Sequence, residues 1–191
     1  TPGNEATLGT TPGPHKTARL DAIAAVQWCL YYPAILDLSD SNLDLSTTAI
    51  PAESLEAYRR GNLPTALAAY PVDRAPLSSE ERMYLAGLVL SAGQVSQAET
   101  LLQGIESEFA DALRSLIATV RGTKQPAGLG GPSATSLLAR SYSDQAGGDL
   151  DAAREAAQLA TRRSPALGFA WARLAELEFS LGRNAAATEA L

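Results

Sequence analysis

The sequence predicts an all-α fold, an α-solenoid of stacked helical hairpins behind an irregular N-terminal segment. Three observations predict it. Alanine and leucine dominate a chain of 191 residues that is 46% hydrophobic and only 6% aromatic, and both residues cost little to place in a helix. A turn of the form Gly-x4-Ala occurs four times, as GNLPTA (61–66), GQVSQA (93–98), GDLDAA (148–153) and GRNAAA (182–187). Each copy follows a stretch with apolar residues at helical spacing.

Residues 1–16, TPGNEATLGTTPGPHK, carry Pro, Gly and Thr at close intervals with no helical period, and read as a linker or edge-strand remnant. A helix is expected over about 17–32, ending before Pro33 because the residue preceding proline avoids the helical region. From there residues 17–191 read as one repeat domain, with hairpins near 52–70, 79–106, 135–164 and 168–191. The first is short, and Pro71 ends its second helix early. In it Asn62 is placed to cap the second helix, with Pro64 in the first turn. Ser78 followed by Glu81 predicts a capping box. Residues 107–121 form a further helix without a partner, and 122–134 form a connector whose Pro126, Gly128, Gly130, Gly131 and Pro132 cannot sustain a helix.

The unit has a physical reading. Glycine lets the first helix end in a left-handed conformation, and the small residue five positions on sits where the second helix crosses the first. The last hairpin, Phe169 to Leu191, must pack on the preceding one, since a repeat cannot bury its apolar face alone. Its second helix stops at Leu191, so the array is expected to continue past it.

These spacings resemble the tetratricopeptide repeat (TPR) family. The last copy supplies Trp171, Leu174, Ala175, Phe179, Gly182, Ala187 and Leu191. The copy before it supplies Leu138, Ala139, Tyr142, Gly148, Ala153, Ala157, Ala160 and Pro165, with about two extra residues in its turn. A third supplies Leu85, Ala86, Val89, Gly93, Ala98, Leu102 and Ile105. The resemblance implies a right-handed solenoid whose first helices line a concave groove that binds a protein or peptide. Carried across, the groove residues are Met83, Tyr84, Arg140, Ser143, Phe169, Arg173, Glu176 and Phe179. Arg140 and Arg173, from adjacent copies, read first as ordinary solvated helix charges, and alternatively as a side-by-side pair that holds one ligand carboxylate. PGNEATLG followed by AVQWCLYYP resembles the junction behind FecR-type bacterial envelope domains, which implies an envelope or periplasmic location; the alternative is the cytoplasm.

Other activities find little support. A net charge of −6 with no basic block disfavours nucleic acid and anionic membranes. His15 is the single histidine, in a linker, and Cys29 the single cysteine, inside an apolar helix, so no metal, cofactor or nucleophilic site is expected. GLGG lacks the Gly-Lys-Ser/Thr order of a phosphate loop. Glu80/Glu81 and Glu176/Glu178 lie at spacings that do not face one another on a helix. Trp28, Tyr31 and Tyr32 read as a cap on the first hairpin, or as an exposed aromatic patch. The sequence therefore points to a non-enzymatic interaction scaffold. Its alternative is a structural spacer that self-associates through its end helices.

Overall fold

The computed structural model describes residues 34–40, 42–46, 48–71, 73–123 and 131–191. Within them the chain is all-helical, with nine helices and no strand. They are α1 (Ala52–Arg59), α2 (Leu63–Ala68), α3 (Ser79–Ser91), α4 (Val95–Leu102), α5 (Glu108–Arg121), α6 (Ala134–Ala146), α7 (Leu150–Arg163), α8 (Gly168–Ser180) and α9 (Asn184–Glu189). The expected helix over 17–32, the linker 1–16, and His15, Trp28, Cys29, Tyr31 and Tyr32 lie outside the described residues, as do positions 124–130 of the connector.

Local chemistry sets the helix ends. Asn62, Ser78, Ser107, Ser133 and Asp149 each accept a hydrogen bond from a backbone N–H of the first turn that follows, satisfying a donor the helix cannot. The box at Ser78 is only half formed. Ser78 Oγ accepts from Glu81 N at 3.1 Å, but the Glu81 carboxylate turns to Leu77 N at 2.8 Å, to the Tyr70 hydroxyl at 2.9 Å and to Arg74. Glu81 therefore pins the loop leading into α3 as well as the helix. Gly148 and Gly182 hold φ of +86° and +75°, the left-handed geometry expected of them. The alanine of each of the four turns (Ala66, Ala98, Ala153, Ala187) is buried.

Each helix packs on the next in sequence, and α3 also touches α5, as α6 touches α8. One core runs from residue 34 to Ala170, and a second joins Ala153 and Ala157 to Leu174, Ala175, Leu177 and Ala190.

Residues 34–51 are the main surprise. The described residues among them form no helix, yet Ala34, Ile35, Leu36, Leu43 and Ile50 belong to the core. Leu36, fully buried, lies over the backbone of Gly87 in the middle of α3: a Cβ added to Gly87 would stand 2.9 Å from Leu36 Cδ1. The backbone of the segment is gripped from other helices. Asp37 N–H donates to Thr135 Oγ1 of α6 at 2.9 Å, and Leu36 C=O accepts from the Tyr58 hydroxyl of α1 at 3.1 Å. Downstream, three Asx turns shape the chain: the Oδ1 atoms of Asp37, Asp40 and Asp44 accept from the backbone N–H of Ser39, Asn42 and Ser46. This explains why α3 is buried on nearly every side from Met83 to Ser91. One face meets its neighbouring helices and another meets residues 34–36.

Candidate functional site

Where the buried segment emerges, a cleft of about 410 Å³ opens between it, the end of α1 and the start of α8. Leu38, Tyr58, Leu167, Phe169 and Ala172 give it apolar walls, and Arg59 and Arg60 contribute cationic side chains. α1 presents Tyr58 and Arg59, Arg60 caps its end, and Gly61, at φ of +75°, turns the chain away. Tyr58 is the hinge of the site. Its ring meets Phe169 edge-on at 5.4 Å and Tyr84 at 5.6 Å, while its hydroxyl holds Leu36 C=O. Burial, then the neighbouring Tyr84, push its phenol well above the ordinary range, so it remains a neutral donor.

The charges at the cleft are unequally engaged. The Asp37 side chain is buried, and its Oδ1 accepts from Ser39 N at 3.0 Å and Ser39 Oγ at 2.5 Å. Arg60 makes an exposed pair with Glu56, one turn back on α1, at 3.3 Å. Arg59 is exposed and forms no ion pair with the described residues. A second hollow, of about 420 Å³, lies between α8 and α9, lined by Gly168, Trp171, Ala172, Glu189, Ala190 and Leu191.

The expected groove residues separate into two groups. Met83 and Tyr84 are buried and unavailable to a partner. Met83 Sδ accepts from Ser107 Oγ at 3.0 Å, and the Tyr84 hydroxyl shares a hydrogen bond with Ser54 at 2.8 Å. Arg173 is 1% exposed and consumed internally. Its Nε donates to Ser141 Oγ at 3.0 Å, and its Nη2 to Ser141 C=O at 3.1 Å and Gln145 Oε1 at 2.6 Å. Its Nη1 reaches Glu176 at 2.9 Å, and the guanidinium lies 3.9 Å from the centre of the Tyr142 ring. Arg173 therefore fastens α8 to α6 and does not join Arg140, which is exposed and paired with Asp144 at 3.3 Å. The register explains the separation. Leu138-Ala139 corresponds to Leu174-Ala175, 36 residues on, so the counterpart of Arg140 is Glu176.

The second group is accessible. Glu176 and Phe179 are exposed, Ser143 and Phe169 half-buried. Phe179 was matched to Tyr142 in the repeat pattern, but the structure buries Glu178 at that position and leaves Phe179 69% exposed. Glu178 meets Arg154 at 3.3 Å and Arg183 at 3.5 Å, so an ion-pair cluster stands where the preceding copy has a tyrosine. Of the expected residues, Phe169 alone lines the cleft. Tyr58, Arg59 and Arg60 fall in the short first hairpin near 52–70 but at none of the expected groove positions, and Leu38 falls in the apolar, non-helical run ILDLSDSNLDLSTTAI between Pro33 and Pro51.

Among the described residues no group of three or more His, Cys, Asp or Glu side chains is arranged to hold a metal ion. No helix among them is long and apolar enough to cross a membrane. No family model, curated protein or solved structure matches the chain.

Proposed function

We propose that the chain is a non-enzymatic interaction scaffold, a right-handed α-solenoid of TPR-like helical pairs that binds a protein or peptide partner. The repeated Gly-x4-Ala turns and the packing of each helix on the next support the repeat architecture. One observation carries the binding function: α1, α3 and α6 hold a non-helical stretch of polypeptide, Ala34–Asp37, by its backbone groups and aliphatic side chains. A surface that grips its own chain this way has the chemistry to grip another. Because that stretch fills the space over α3, the partner's place is the open cleft beside it, at Tyr58 and Phe169.

The test uses the full chain with the photocrosslinker p-benzoylphenylalanine at Ala166, which is exposed and lines the cleft. A second version carries it at Gln97 of α4, exposed and away from the cleft lining. A partner crosslinked from position 166 and not from 97 supports the reading. Crosslinking only from 97 moves the binding surface elsewhere.

A second reading, a spacer that self-associates, is favoured by one observation. Trp171 and Leu191, 37% and 93% exposed, flank the apolar hollow between α8 and α9. Sedimentation over a range of concentrations decides it: dimers lost on Trp171→Glu establish self-association, and a monomer throughout removes it.

A further inference from the structure

We infer that the cleft between α1, α8 and residues 37–39 takes an internal polypeptide segment presenting an aliphatic side chain with a side-chain carboxylate next to it. This rests on the interaction-scaffold reading and names the chemistry of its ligand. The apolar walls come from Leu38, Tyr58, Leu167, Phe169 and Ala172. Such walls favour an aliphatic group through burial of apolar area.

The carboxylate follows from the cations. Arg59 has no ion pair among the described residues, and Arg60 has only the solvent-exposed Glu56, a contact of the type worth little and readily exchanged. Asp37, the acidic residue lining the cleft, is turned to Ser39. Glu56 offsets Arg60 and the Asp37 carboxylate is turned to Ser39, so Arg59 is the cation at the cleft that no carboxylate of the described residues pairs with. A guanidinium beside an apolar wall receives a carboxylate in bidentate geometry.

Continuity fits a segment of that pattern. The polypeptide seated on α1, α3 and α6 reads Ile35-Leu36-Asp37, aliphatic residues followed by an acid whose carboxylate turns to Ser39, and it reaches the cleft wall at Asp37. That pattern is internal to a chain, so the ligand is a side-chain acid within a segment and not a free C-terminus.

The experiment is fluorescence anisotropy on the full chain with a fluorescein-labelled, C-amidated peptide Gly-Leu-Leu-Asp-Leu-Gly, which has no terminal carboxylate. Versions with Asn, and with Lys, in place of Asp serve as comparisons. The Asp peptide is expected to bind with Kd below ~1 mM, and the Asn and Lys peptides ~10-fold or more weaker, as for loss of a charge-assisted hydrogen bond. The Arg59→Gln/Arg60→Gln chain should lose the Asp preference, and Arg59→Glu/Arg60→Glu should prefer the Lys peptide. Both are checked for unchanged helical content by circular dichroism. Affinity for the Asp peptide should fall between about 20 and 200 mM salt. Equal binding of Asp and Asn peptides overturns the acidic preference and leaves the scaffold reading standing. No binding of any peptide overturns the inference, while crosslinking from position 166 still judges the scaffold reading separately.

Discussion

Replacing Arg173 by Ala should destabilise the chain severely although the residue is charged and was expected in a binding groove. In the native fold its guanidinium makes three hydrogen bonds to Ser141 and Gln145 of α6, one to Glu176, and covers the Tyr142 ring at 3.9 Å. Truncation leaves the Ser141 carbonyl and Gln145 amide oxygen without their donor, removes a desolvated cation–π contact of about 2 kcal/mol, and empties space between α6 and α8. Glu176 is exposed, so no buried charge is orphaned, and the lost cation–π contact and the unpaired acceptors together cost about 3–5 kcal/mol. At about 2–4 °C per kcal/mol for a domain of this size, Tm should fall by roughly 6–20 °C. Arg173→Lys keeps the charge but loses the planar fork, and should recover only part of the loss. Arg140→Ala serves as control: its pair with Asp144 is exposed, and stability should stay within about 0.5 kcal/mol. Urea titration followed by circular dichroism measures all three. If Arg173→Ala lies within about 1 kcal/mol of the parent, the network is not what fastens α8 to α6 and the reasoning fails.

Four further outcomes are expected. Gly182→Ala, at φ of +75° with open space around its Cβ position, should cost about 1–2 kcal/mol from backbone strain alone, read as a lowered urea midpoint. Gly87→Leu should cost about 1–3 kcal/mol because its side chain competes with Leu36, whereas Gly87→Ala should be nearly neutral, its helix propensity offsetting a contact that one methyl can push aside; thermal melts check both. Leu36→Ala should cost about 2–5 kcal/mol and raise amide exchange in α1 and α6 as well as in residues 34–40. The fourth concerns acid. Burial alone would raise the Glu81 and Glu108 carboxyls, but hydrogen bonds from Leu77, Arg74 and Tyr70 to the first, and from Ser133 and Ser136 to the second, hold both below the ordinary range. Because the folded values are depressed, their contribution is present above the unfolded value and is lost as pH falls below about 4. Melts in that window should show a weaker acid dependence for Glu81→Gln than for the parent.

The helical class was legible because it depends on local chemistry. Caps at Asn62 and Ser78 and left-handed glycines at the turns act within a few residues, and the sequence displays them directly. The side-chain register was less legible. An α-helix turns about 100° per residue, so matching Phe179 instead of Glu178 to Tyr142 is enough to exchange an exposed ring for a buried carboxylate. Nothing in Arg173 itself separates a ligand clamp from a structural tie. The difference lies in Ser141, Tyr142 and Gln145, 28 to 32 residues away, and only packing brings them together. The non-helical segment was illegible for a related reason. Ile35 and Leu36 follow no helical period, and their partners Tyr58, Gly87 and Thr135 are each unremarkable in their own helices.

That segment changes how this stack of helices holds together. In a stack where each unit touches only its neighbours, stability is close to a sum of local terms and the array can open from either end. Here Asp37 bonds to Thr135, 98 residues away, and Tyr58 of α1 meets Phe169 of α8. Those contacts tie Asp37 to α6 and α1 to α8, and couple their opening. They also define the cleft: residues 37–39 supply one wall, α1 a second and the start of α8 a third. Opening the stack at α1 therefore abolishes the cleft, and a ligand seated in the cleft against the packed Tyr58–Phe169 pair must stabilise that closure. Binding at the cleft and cohesion of the array are on this geometry the same equilibrium, because the contacts that close the chain on itself also build the surface a partner would use.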